Sequence, residues 1–417
     1  MDTSQIKDVV QKLGFLRNYS SLFVPLIIAI VGALLFIPTR LMSSRLKTQM
    51  AKESVSVGKR VESLSRSVVA RNQWEVERQY QQIYADDVNQ MMLLAKQSSQ
   101  RQLLSYQIFP KPKDISTLIF KGFGQAYRAG IEQMLERVNA RDCPSQAEVE
   151  RSLQASTLGG TGIVKRFDSL QRLGEVDAAI VNELCSDRAK SLSFYANPAD
   201  LSGYGFWETY EYIGMTEGTE DCWYWQLGYW IIEDVVDTIA AANSHCENVL
   251  TSPVKRLMHL SFTPGAIDVV VTGKTRKPGS EQIRPSYAQS DGGYLAEPLT
   301  GRYTNDDVDI VHFTFVVVIN AKEALPFMQK LCSAKQHKLT GLTGGQAEQV
   351  FKHNQITVLE SSIRTIYRDS DTHNMYRYGE DAVVELELIC EYIFNKSGYD
   401  EVKPDSVKKS TGKVSSD

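Results

Sequence analysis

The chain of 417 residues has no CxxC pair and no two histidines three or four positions apart. Its cysteines are Cys143, Cys185, Cys222, Cys246, Cys332 and Cys390, so zinc knuckles and redox dithiols are not indicated. GxSxG, HExxH and EF-hand loops are absent too, which leaves no constellation for nucleophilic, zinc-hydroxide or calcium chemistry. Charge of one sign is scarce in excess: the net charge is −4, and a nucleic-acid footprint is excluded on that ground. Proline is missing between Pro38 and Pro110, and Gly58 is the lone glycine there. Charged side chains are missing altogether between Asn18 and Thr39.

That last absence is the most informative. The run NYSSLFVPLIIAIVGALLFIPT would span about 33 Å as a helix, enough for a bilayer's hydrocarbon core. A cleaved signal peptide has a shorter apolar core and a small-x-small site, whereas Phe36-Ile37-Pro38-Thr39-Arg40 offers none. A buried soluble helix would show a polar face. The run therefore reads as an uncleaved anchor, with Pro25 near its start and Pro38 at its exit. Lys7, Lys12 and Arg17 precede it, and Arg40, Arg45, Lys47 and Lys52 follow, so the positive-inside rule gives nearly a tie.

With nothing to break it, 40–105 reads as one helical stalk. Met50, Val57, Val61, Leu64 and Val68 recur near heptad spacing and mark a pairing seam, which Lys47 and Ser54 interrupt. The alternative is an exposed, unpaired stalk. Residues 106–220 read as a helical intermediate region. Gly159-Gly160-Thr161-Gly162 lacks the Lys-Ser/Thr ending of a phosphate loop and reads as a plain loop, as does Gly341–Gly345.

Helical periodicity over 221–243 puts Tyr224, Leu227, Ile231, Val235, Ile239 and Ala242 on one face, with Asp221 as cap and Glu233, Asp234 and Asp237 opposite. Strands are expected at Val254–Phe262, Val311–Ile319, Gln355–Ile366 (irregular at Ser361-Ser362) and Val383–Phe394, with a short extra strand at Ala266–Val271. A helix with Asn320 as cap and Leu325, Met328 and Leu331 inward lies between the second and third. In the last strand Val384, Leu386, Leu388, Cys390, Tyr392 and Phe394 point inward, and Glu385, Glu387 and Glu391 point to solvent. The order predicts an α+β chain whose residues 221–395 form an αββαββ unit, a circularly permuted ferredoxin-like layout. The tail 396–417 is polar and reads as disordered.

The anchor at 22–38, WQLGYWIIEDVVDTIAAAN at 225–243, FTFVVVINAKEALPFMQKL at 313–331 and VVELELICEYIF at 383–394 together carry a resemblance. The chain resembles the PilO/GspM-type inner-membrane assembly proteins of type IV pilus and type II secretion machines. The match is one of architecture; 106–220 and the loop 264–307 depart from the family pattern. The resemblance implies a single-pass protein of the bacterial inner membrane, with a cytoplasmic tail at 1–17 and a large periplasmic domain. It implies a non-enzymatic scaffold without cofactor or metal, whose partners are membrane lipid, itself or a paralogue, and pilin-like or platform proteins. In that compartment Cys143, Cys185, Cys222 and Cys246, set in polar surroundings, would form disulfides; Cys332 and Cys390 read as core thiols. The competing function is a membrane-anchored sensor with a pocket at Phe206, Trp207, Tyr210 and Tyr212. A hydrolase is a third, and its motifs are missing. His245-Cys246-Glu247 as a metal site and Glu385 with Glu387 as paired acids are the weaker chemical readings; a helix end and a solvated sheet face account for them.

Overall fold

A computed structural model describes residues 20–66, 71–156, 167, 169–262, 284–288, 300–339, 349–353 and 355–411. Val68, both glycine-rich segments, the candidate strand 266–271, the tail 1–17 and residues beyond 411 lie outside these. The chain divides into two compact units, Met1–Val88 and Asn89–Asp417.

Helix α1 (Ser20–Arg66) runs for 47 residues and takes both Pro25 and Pro38 inside it. Pro38 therefore does not end the helix. Strong helix formers come after it, and the Thr39 hydroxyl donates to the Leu35 carbonyl one turn back (2.7 Å). Within α1, Pro25–Ser65 is long and apolar enough to cross a membrane. Helix α2 (Arg71–Ser99) stops short of the expected residue 105. Burial is the reason: Arg101, Leu103, Ile108 and Phe109 are enclosed, so residues 101–109 are drawn into the core instead of extending the rod.

The second unit is built from α3 (Leu118–Arg137), β1 (Ala140–Arg141), α4 (Gln146–Ser156), α5 (Glu175–Ser191), β2 (Phe194–Ala196), α6 (Tyr204–Glu208), α7 (Met215–Asn243), β3 (Val254–Ser261), β4 (Val308–Asn320), α8 (Ala324–Cys332), β5 (Lys335–Leu339), β6 (Gln349–His353), β7 (Ile356–Thr365), β8 (Val383–Asn395), α9 (Lys396–Tyr399) and α10 (Asp405–Thr411). Its main sheet has the order β1-β2-β3-β4-β8-β7. Strands β3, β4, β8 and β7 are antiparallel, with β4 and β8 central and paired along their whole length. The short β1 and β2 add on parallel to β3. Strands β5 and β6 form a separate hairpin between α8 and β7.

Helices α3, α7 and α8 share one core cluster with the inward residues of β3, β4 and β8. Helix α7 is the hub. It begins at Met215, nearly two turns before the expected start; Asp221 is not its cap but an internal residue, buried and paired with Arg284 (2.6 Å). Because the sheet and α3 both pack on α7, most of its circumference is buried, Asp234 of its expected polar face included. In α8, Phe327 rather than Leu325 points inward with Leu331; Leu325 is exposed. The irregularity of β7 falls between Val358 and Glu360, not at Ser361-Ser362.

The inward face of β8 is as the alternation predicts: Leu386, Leu388, Cys390, Tyr392 and Phe394 are buried. Its other face is not solvated throughout. Ala189, Leu192, Tyr195, Val249, Val318 and Tyr378 form a second cluster there, and Glu391 is wholly buried, bonded by Thr300 and Arg302. The expected disordered tail is folded as far as residue 411. Tyr399, Lys403 and Val407 are buried, because Asp309 of β4 accepts bonds from Tyr399 and from Lys403 (2.7 Å). A buried lysine keeps its place only with such a partner.

Candidate interaction surfaces

The predicted seam lies on α1. Met50, Val57, Val61 and Leu64 are 58–63% exposed, on a helix whose described residues between Pro25 and Ser65 are all exposed. A second stripe was not singled out by sequence reading: Val76, Tyr80, Ile83, Tyr84, Val88, Met91 and Leu94 on α2 are exposed and fall on one face at 100° per residue. The Gln-rich context hid it, although the 3.6-residue period was there to be counted.

Where α2 ends, the chain is locked to the core by polar contacts. Buried Arg101 bonds Tyr392 (2.9 Å) and Glu233 (2.7 Å) and lies 3.0 Å from Asp234. The Tyr392 hydroxyl in turn donates to Asp234 (2.6 Å). Gln226 of α7 accepts from the Leu104 amide (2.8 Å), and the Trp230 indole donates to the Gln102 carbonyl (2.8 Å). Burial opposes the charge of Arg101, but Asp234, Tyr392 and Glu233 outweigh it and raise its pKa further. Burial, and then Asp234, push the Tyr392 phenol well up. The result is a fixed cation held by a neutral phenol and carboxylates, an arrangement suited to holding position and not to proton transfer.

The predicted ligand pocket is filled. Trp207 lies 5.1 Å from Phe206 and 4.7 Å from Tyr210 between ring centroids, and Phe206 lies 5.2 Å from Trp225. Tyr212 sits apart, against Phe120 at 5.4 Å. A Cβ at Gly124 would stand 2.7 Å from the Trp207 ring, so no room is left there. Among the described residues the Trp207 and Trp225 indole nitrogens meet no hydrogen-bond partner.

All six cysteines are free thiols, so the four proposed disulfide cysteines are unpaired. Cys185 packs with Val149, Leu153 and Val181, while Cys222 sits in the main core; the two belong to different clusters. Burial pushes the Cys143 thiol up to about 11 and raises those of Cys185 and Cys222. Glu385 is bonded to His373 (3.1 Å) and Glu387 to Arg364, so neither stands free as an acid pair would. Among the described residues no group of three or more His, Cys, Asp or Glu side chains is arranged to hold a metal.

The outer side of β7 is the longest open sheet edge. Among the described residues it pairs with β8 alone, whereas the opposite edge, β1, is two residues long. Ser361, Ile363, Arg364, Thr365 and Tyr367 are exposed along it.

No family model matches the sequence, and no curated protein matches it. A solved structure from Akkermansia muciniphila aligns with 78% of this chain and 96% of its own, at 9% identity and a TM-score of 0.26, a likeness too low to carry an argument about fold or function.

Proposed function

We propose that the protein is a non-enzymatic, membrane-anchored scaffold that pairs through its helical stalk and docks partners through its globular unit. The observation that carries this reading is the helix from Ser20 to Arg66. Its first half is apolar enough to enter a membrane, and its second half presents the side chains of Met50, Val57, Val61 and Leu64 as exposed apolar surface on one face. An apolar stripe kept in water along a rod is the mark of a helix that meets another helix. In this reading residues 215–395 are a circularly permuted ferredoxin-like unit. Its support is a helix–strand–strand order taken twice, with the separate β5-β6 pair set between α8 and β7 in the second half, together with the antiparallel order β3-β4-β8-β7 and both helices in one core. A place in a type IV pilus or type II secretion platform of a bacterial inner membrane, with the large unit in the periplasm, is the corresponding assembly role. The filled aromatic cluster weighs against a sensor pocket at Phe206–Tyr212.

Two fractionations test this. Alkaline carbonate should leave the full chain in the membrane pellet, and release into the supernatant would contradict anchoring. Protease added to spheroplasts should digest the large unit; protection would reverse the orientation.

A further inference from the structure

The free edge of β7 carries an inference of its own. The Ile393 amide donates to the Gln355 carbonyl (2.8 Å), so odd-numbered residues of β8 turn their backbone groups toward β7. Strand β8 keeps unbroken register with β4, so the irregularity after Val358 belongs to β7. Beyond it, Ser362 and Arg364 stand opposite Glu387 and Glu385 as bonded pairs. Ser361, Ile363 and Thr365 therefore turn their N–H and C=O groups outward, and no described strand meets them. The usual protections of an edge are thin here: no proline interrupts 360–365, and Ile363 is 59% exposed on the face shared with Leu386.

We infer that β7 pairs antiparallel with β7 of a second copy of this chain, about a two-fold axis through Ser362. Unsatisfied strand groups call for another extended strand, and the charges select which one and in what register. With Ser362 on the axis, Ser361 meets Ile363 of the second copy, so outward groups face outward groups. Glu360 then stands opposite Arg364 of the second copy, and the reverse, on the face that already holds Glu387. Opposite charges directly across a strand pair are favourable, and like charges are not. An axis through Glu360 would oppose two carboxylates, and one through Arg364 two guanidiniums; an axis through Ile363 would leave both charges unmatched. The selected register also brings the two Ile363 side chains diagonally together and covers exposed apolar surface on both copies.

This pairing deepens the scaffold reading by naming the partner at one sheet edge, and it fails or stands separately from the stalk. In the full chain in detergent micelles, Ser362→Cys places two thiols in a non-bonded pair, with Cα atoms about 4.5 Å apart and within disulfide range. Mild oxidation should convert this variant to a reducible dimer. Thr357→Cys, about 33 Å from its mate in the same register, should give no more dimer than the unmodified chain with its native cysteines. Adding Glu360→Gln should weaken dimerisation, and Glu360→Arg should weaken it about tenfold, with folding checked by circular dichroism. A Ser362→Cys dimer no stronger than the Thr357→Cys control overturns the pairing, and insensitivity to the Glu360 series overturns the register. Retention of a Val57→Cys dimer in either case leaves the stalk reading intact.

Discussion

Replacing Arg101 by Met removes the cation that fixes the end of α2 to α7 and β8. The side chain is buried, bonds Tyr392 and Glu233, and lies 3.0 Å from Asp234. A methionine of similar length fills the space but leaves Asp234 with one fewer donor in the interior. Breaking a buried pair from one side costs about 3–5 kcal/mol, and the desolvation penalty of the remaining charge supplies most of it. For a unit of this size a loss on that scale lowers Tm by roughly 4–7 °C. Near-ultraviolet circular dichroism reports it directly, because Trp223, Trp225 and Trp230 lie in the same core. The double variant Arg101→Met/Asp234→Leu removes the stranded charge and should recover much of the loss. A single variant that melts within about 2 °C of the parent, or a double variant no more stable than the single, would refute the reasoning.

Lys403→Met removes the closest cation of wholly buried Asp309 and leaves it Tyr399 and, at 3.5 Å, Lys396; protease should then clip residues 396–411 faster than in the parent. Gly203 has φ +92° and a Cβ there would meet the Tyr127 hydroxyl and Trp225, so Gly203→Ala should cost about 2 kcal/mol or more in chemical denaturation. Burial, with Asp142 assisting, raises the Asp200 carboxyl to about 6, so the native state binds this proton more tightly than the unfolded chain. That contribution is complete below pH 3.8, the ordinary value, and is lost as pH rises through 6. Asp200→Asn should therefore stabilise the protein by about 1 kcal/mol at pH 7.5, after allowance for solvent screening, and by next to nothing at about pH 3.

Periodicity made β3, β4 and β8 legible, because each has a face or a length that only a packed strand needs. The start of α7 was hidden because Gly218 and Glu220 look like loop residues; tertiary packing by Phe120 and Tyr210 accepts the glycine. The fold of the tail was hidden for a related reason. Lys403 and Lys396 read as solvated until Asp309, more than 80 positions away in sequence, is known to face them. Pro38 misled because its cost is local, while the helix on both sides is sustained by strong formers. Of the surfaces, the α1 seam was visible as spacing. The β7 edge was not, since sequence shows a strand but not whether a neighbour covers it.

Cysteine scanning along α1 in native membranes tests the scaffold claim most directly. Val57→Cys and Leu64→Cys should each give a reducible adduct of higher mass, with itself or with a paralogue. Lys59→Cys, on the opposite face about 140–160° around the helix from Val57 and Leu64, should give little. Adducts with no dependence on helix phase, or none at Val57 and Leu64, would contradict a stalk that pairs.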